Sequence, residues 1–205
     1  ILGGHLLGWR TVCAVECDAY CAAVLAQRQD DKILPVFPIW SDVTTFDGRP
    51  WRGLVDVVSG GFPCQAFSTA ARGRNNAANL WPEMRRVIYD VKPTYVFAEN
   101  VACRAIDTTC DDLEKMGYET RAIPLSAKDL GADHVRERHW LFAYTNNDGE
   151  LSPSINAEMA VLSFLRQSIW RTYPDEPRMA DGMADRLDRL KAIGNGQVPL
   201  VAATA

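Results

Sequence analysis

Short apolar runs of strand length alternate along the first three quarters of the chain with segments whose apolar positions recur at helical spacing. Thr11-Val12-Cys13-Ala14-Val15 is the first strand candidate. Asp18 then offers an N-cap to a helix carrying Ala22, Ala23, Leu25 and Ala26. Leu54 to Val58 is a second strand, ended by Ser59-Gly60-Gly61. Leu80 to Val91 has an amphipathic pattern stopped by Lys92-Pro93, and Thr94 to Ala98 is a third strand. Asp111 to Met116 predicts a helix closed by Gly117, and Trp140 to Tyr144 a late strand. Strands separated by helices imply parallel βαβ units, hence an α/β fold with an open, doubly wound sheet.

The pattern loosens after Tyr144. Residues 1–144 are expected to form the core, 145–189 a short irregular segment, and 190–205 a returning turn and helix. The turn is Gly194-Asn195-Gly196-Gln197, before an apolar helix suited to packing back onto the sheet. The chain begins at Ile1 and stops at Ala205 within an apolar run, so both ends read as cut.

Composition narrows the classes. The 205 residues carry 22 Lys+Arg against 26 Asp+Glu, a net charge of −4, with 47% hydrophobic and 23% charged positions. That is the profile of a globular domain, not of a disordered chain. No run approaches the roughly 20 apolar residues of a membrane helix, so no membrane partner is expected. Six cysteines are too few for a disulfide scaffold. Cys13, Cys17 and Cys21 lack the CxxC or His partners of a metal site; no metal is expected, and they read as small buried thiols of a cytoplasmic protein. The acidic balance gives no support to nucleic-acid binding, so any such claim rests on local chemistry.

In open α/β sheets ligands bind beyond the carboxyl ends of the strands. Glu16 follows the first strand, Asp42 follows Pro38-Ile39-Trp40-Ser41, Cys64 follows Gly60-Gly61-Phe62-Pro63, and Glu99-Asn100 follows the third strand. A single acid at a strand end is usually only solvated. Cys64 is the most pointed of the group, because two glycines allow a sharp turn and Pro63 fixes φ just before the thiol. A helical turn starting there would favour the thiolate. A buried structural cysteine is the alternative.

Gly61-Phe62-Pro63-Cys64-Gln65, Glu99-Asn100-Val101, Arg136-Glu137-Arg138 and Gly194-Asn195, in that order, resemble the DNA (cytosine-5-)-methyltransferases. The resemblance spans nearly the whole chain apart from the segment after Tyr144. It implies an S-adenosylmethionine-dependent methyltransferase sheet and double-stranded DNA as partner. The Cys64 thiolate would add to carbon 6 of a cytosine flipped from the duplex, making carbon 5 nucleophilic toward the sulfonium methyl. Glu99 would hold ring nitrogen 3 and the exocyclic amine. Arg138 would reach the exocyclic oxygen, and Arg136 would support the loop or the nucleic-acid backbone. On the cofactor side the resemblance assigns Glu16 to the ribose hydroxyls, Asp42 to the adenine amine, Pro63 to the lining and Asn195 to the methionine end. Gln65, Ser68, Arg72 and Arg74 fall on the loop that closes over DNA in this family.

Three departures stand out. The family's opening strand and glycine loop have no match; Leu2, Leu6 and Leu7 fit the helix that follows them, so the expectation is a chain lacking that strand. The arginine motif begins with His134 in place of glutamine, either as a substitute donor and acceptor or as loop packing. Gly196-Gln197 follow Asn195 where small or β-branched residues are usual. Between Thr145 and Arg189, Arg166, Arg171, Arg178, Arg186 and Arg189 are candidate phosphate contacts, but Asp181, Asp185 and Asp188 alternate with the last of them as on a solvated helix face. The leading reading is a monomeric DNA methyltransferase of a phage, prophage or restriction system, in the cytoplasm of a bacterial or phage-infected cell. A tRNA methyltransferase with the same motifs is the second reading, and a catalytically dead nucleic-acid-binding remnant the third.

Overall fold

The computed structural model describes residues 1–63, 79–145 and 196–205. Cys64, Gln65, Ser68, Arg72, Arg74, Asn195 and the 145–189 segment beyond Thr145 lie outside the described residues. The described residues fall into two compact units.

The first unit holds Ile1–Ser41, Ala127–Val135 and residues 196–204. Its βαβ element runs from β1 (Ala14–Val15) through α2 (Ala19–Asp30) to a parallel β2 (Ile39–Trp40). Asp18 caps α2 as expected, its Oδ1 accepting from Tyr20 N at 3.1 Å and Cys21 N at 3.2 Å. The end of α2 is tied to the chain entering β2, with the Gln29 side-chain amide donating to Phe37 O and accepting from Phe37 N. A preceding helix, α1 (Leu2–Leu6), fits the reading of Leu2 and Leu6. The apolar tail forms α5 (Pro199–Thr204), which packs on α1. A Cβ on Gly3 would stand 2.9 Å from Ala202 Cβ, so the two helices meet at a glycine. The expected buried thiols are not found: Cys17 is exposed, Cys13 and Cys21 are half-buried, and none of the three forms a disulfide. For Cys21 the reason is that α2, on which it lies, buries none of its residues.

The second unit holds residues 42–63, 79–126, 136–145 and Ala205. A parallel pair, β3 (Val57–Gly61) and β4 (Tyr95–Asn100), is joined by α3 (Trp81–Val91). Then α4 (Cys103–Lys115) leads to β5 (Tyr118–Leu125) and β6 (Arg138–Thr145). The sheet order is β3-β4-β6-β5, with β6 antiparallel to both neighbours. The expected parallel βαβ pairing holds for β3 and β4, and β6 departs from it by running antiparallel. Between β5 and β6 lies only a 3-10 turn at Lys128–Leu130, with no crossover helix to carry the chain back to a parallel start. The strand β5 was not predicted.

One face of this sheet (Val58, Val96, Ala98, Leu141, Ala143) is covered by α3 and α4. On α3, Trp81, Met84, Ile88 and Val91 recur at the spacing of one helical face, and on α4 so do Ala105, Ile106 and Leu113. Ile88, Val96, Leu113 and Leu141 are wholly hidden, each contributing about 1.5–3 kcal/mol by burial. Tyr118 donates its hydroxyl to Pro93 O at 2.8 Å, so its polar tip is satisfied inside the core. Among the described residues no helix is long and apolar enough to cross a membrane.

Candidate active site

The site builds from the ends of three neighbouring strands. Parallel register places Gly61, the last residue of β3, opposite Glu99 on β4. Because β6 runs the other way, its first residues lie at that same edge: Trp140 pairs with Glu99 and His139 with Asn100. Arg138 thereby stands on the face that carries Glu99, two residues along from Trp140.

Glu99 is buried at 8% exposure, and its Oε1 lies 3.1 Å from Arg138 Nε. A carboxylate so enclosed needs a charged partner, and removing one member of a buried pair costs about 3–5 kcal/mol. Arg138 Nη1 donates to Glu137 O at 2.7 Å, which fixes the plane of the guanidinium. Arg136 sits beside the pair. Burial and the repulsion of Arg138 lower its pKa, while Glu99 raises it. Its φ of 38° lies in the left-handed region, which costs a side-chain-bearing residue about 1–3 kcal/mol and recurs at functional sites.

The loop leaving β3 is fixed from both sides. Phe62 is buried and its ring meets Trp81 at 5.3 Å. Asn100 Nδ2 donates to Phe62 O at 2.8 Å, while its Oδ1 accepts from Ala102 N at 3.0 Å, where α4 begins. Pro63 is exposed, and its carbonyl accepts from Leu80 N at 3.4 Å, so the chain on either side of residues 64–78 meets. Asn100 and Phe62 went unassigned in the sequence reading. The Asn beside Glu99 was the available signal, but its bond to Phe62 crosses from one strand to the next and no spacing reveals it.

The two acids after β1 and β2 share a local device. Glu16 Oε1 accepts from Asp18 N at 2.9 Å, and Asp42 Oδ1 accepts from Thr44 N at 2.8 Å. Each carboxylate thus has one oxygen tied to its own loop two residues on and a second oxygen with no protein partner among the described residues. Thr44 also donates its hydroxyl to Asp42, and the side-chain and backbone bonds together hold the Asp42 carboxyl below the usual carboxylate range. Locally anchored acids with a spare acceptor suit hydroxyl and amine donors. The structure places Glu16 in the first unit and Asp42, Pro63, Glu99, Arg136 and Arg138 in the second. His134 is exposed.

Comparison with known proteins gives the family. A model of the C-5 cytosine-specific DNA methylase family matches residues 2–189. The type II methyltransferase M1.HphI of Haemophilus parahaemolyticus is 32% identical over 171 residues, covering 74% of this chain and 44% of that protein. The type II methyltransferase M.Eco47II of Escherichia coli is 30% identical over 131 residues, covering 57% of this chain and 30% of the relative. The chain spans less than half the length of either. Among solved structures, the S. pombe Dnmt2 methyltransferase superposes with a TM-score of 0.58 at 17% identity, covering 82% of this chain and 51% of that one; this likeness is one of fold.

Proposed function

From the premise that the chain belongs to the C-5 cytosine-specific DNA methylase family, we propose that the whole protein methylates carbon 5 of cytosine in double-stranded DNA. The observation that carries the reading is the buried Glu99–Arg138 pair at the strand edge beside the Phe62-Pro63 turn that Asn100 ties down. It brings three separated motifs to one edge.

The division of labour follows from the chemistry. Cytosine carbon 5 becomes nucleophilic only after a group adds to carbon 6, and Cys64, next in sequence after Pro63, is the nucleophile. As the thiolate forms its bond to carbon 6, negative charge spreads toward ring nitrogen 3 and the exocyclic oxygen. Glu99 would accept from the amine and, carrying a proton taken up from solvent, donate to nitrogen 3, while Arg138 would donate to the oxygen. Once carbon 5 has taken up the methyl group, its proton would pass to a water acting as base, and the electron pair left behind re-forms the 5,6 double bond and expels the thiolate. Arg136 supports this edge, and Gln65, Ser68, Arg72 and Arg74 contact the DNA from which the base is flipped.

The cofactor that fits is S-adenosylmethionine, whose sulfonium makes the methyl group electrophilic. Glu16 takes the ribose hydroxyls and Asp42 the adenine amine through their spare oxygens, Pro63 lines the site, and Asn195 meets the methionine end.

A covalent trap tests the reading. Fluorine at carbon 5 cannot leave as a cation, so a duplex bearing 5-fluorocytosine in its recognised site, incubated with the whole protein and S-adenosylmethionine, should give a denaturation-resistant adduct. Cys64→Ser should abolish the adduct while DNA binding survives. Glu99→Gln should slow its formation by about 10²–10³-fold. A bound duplex containing the site that yields only a salt-sensitive complex would count decisively against the reading. An adduct on tRNA instead would move the substrate to RNA.

A further inference from the structure

Asp42 heads a tight turn whose internal bonds set its shape. Thr45 N donates to Asp42 O at 3.2 Å and Phe46 N to Val43 O at 3.3 Å, in addition to the two Thr44 bonds to Asp42 Oδ1. None of these bonds locates the turn in the fold. That location comes from α3. Arg86 Nη2 donates to Val43 O at 2.6 Å, and Nη1 of the same guanidinium donates to Phe46 O at 2.8 Å. One planar fork therefore grips the turn at two carbonyls three residues apart. The fork is itself oriented from along the helix, with Glu83 2.9 Å from Nε and Asp90 3.4 Å from Nη1. Just beyond, Gly48 presses its backbone on the same helix; a Cβ there would stand 2.8 Å from Asp90 Cβ.

We propose that Arg86 is a positioning residue for the cofactor, holding the Asp42 turn so that the free carboxylate oxygen is aimed at the adenine amine. The inference rests on the reading of Asp42 given above. A guanidinium suits the task because two donors in one rigid plane fix both the place and the tilt of the turn. A lysine ammonium, a point charge on a flexible stem, keeps the charge and loses the tilt.

The test uses the whole protein and two ligands, S-adenosylhomocysteine and its analogue with a carbonyl oxygen in place of the adenine amine. Binding of each is measured by calorimetry. Arg86→Lys should lower the preference for the amine-bearing ligand by about tenfold while leaving affinity for the analogue within about twofold. The KM for S-adenosylmethionine should rise by about tenfold, with kcat at saturation falling no more than about twofold. Equal losses for both ligands, or no loss for either, would overturn the proposal, since a purely structural role does not discriminate between them. If Arg86→Lys does not fold, Arg86→Gln is read by the same ratio, for its amide can keep only one carbonyl contact at a time. Asp42→Asn is measured in parallel. A preference that survives Asp42→Asn refutes the assignment of Asp42, whereas a preference lost in Asp42→Asn and kept in Arg86→Lys refutes the role of Arg86 alone.

Discussion

The two units differ in how completely they hide apolar surface. In the second, Ile88, Val96, Ala98, Leu113, Leu141 and Ala143 are at 0% exposure between the sheet and α3 and α4. In the first, Leu2, Leu6, Trp9, Val15, Val24, Ile33 and Trp40 each keep more than a third of their surface exposed. Its strands pair over two residues each, a ladder too short to be stable on its own. The difference maps onto the chemistry. Glu99 and Arg138 stand on the densely packed sheet, with Arg136 just before β6, and the Asp42 turn is tied to α3 by Arg86. Glu16 has its own loop bond, a backbone bond to Trp40 O at 2.8 Å and the N-cap of α2 behind it. The groups proposed to hold the base stand on the more deeply buried sheet, and the proposed ribose contact stands on the more exposed unit.

Core truncation probes this contrast most strongly. Leu113→Ala should destabilise by about 2–5 kcal/mol through the cavity it leaves, whereas Val24→Ala on α2 should stay within about 0.5 kcal/mol. Urea melts of the two variants measure both, and similar losses would erase the distinction. Ser in place of Cys17, which is exposed, should be as mild as Val24→Ala.

Capping gives an intermediate effect confined to the first unit. Asp18→Ala removes the acceptor for Tyr20 N and Cys21 N and should cost about 1 kcal/mol. Hydrogen exchange should locate the loss in α2, leaving α3 and α4 amides as protected as before. Spread of the effect to α4 would mean that the units unfold as one.

Acid should act on the second unit by the smallest margin. Trp81 Nε1 donates to Asp112 Oδ2 at 2.9 Å and Arg85 Nη1 at 3.0 Å. The Trp81 bond first, then Arg85 and Lys115, hold the Asp112 carboxyl below its ordinary value against the opposing effect of burial. A carboxyl whose folded pKa is depressed stabilises fully above its unfolded pKa of about 3.9 and loses that stabilisation as pH falls through the folded value. Since Arg85 is half exposed, the effect should be no more than about 1 kcal/mol. Thermal melts from pH 7 down to about pH 2 should show Asp112→Asn less sensitive to acid than the parent protein in that window; equal acid sensitivity would remove Asp112 from the account.

Most elements were legible because their signals are local. The Asp18 cap, the amphipathic spacing of α3 and the apolar run of β6 all lie within a single stretch of chain. Boundaries moved where pairing outweighs pattern: the strand read at Leu54 to Val58 forms at Val57–Gly61, in register with β4, and Leu54 is 71% exposed. β5 escaped notice because Glu119, Arg121 and Pro124 interrupt any apolar run, and only an edge position tolerates such a strand.

What the sequence determined by itself was the chemical inventory: a thiol after Gly-Gly-Phe-Pro, an acid and an amide at one strand end, two arginines at another, and acids after the first two strands. Residue type and short spacing carry that information, since they depend on covalent neighbours alone. Only the tertiary structure decided how part of the inventory meets. The reversed direction of β6 brings Arg138 to Glu99, the Asn100 bond ties the β3 loop to the β4 end, and Arg86 reaches across to the Asp42 turn. Strand direction and long-range hydrogen bonds join residues tens of positions apart, and they arise from packing the sheet against its helices.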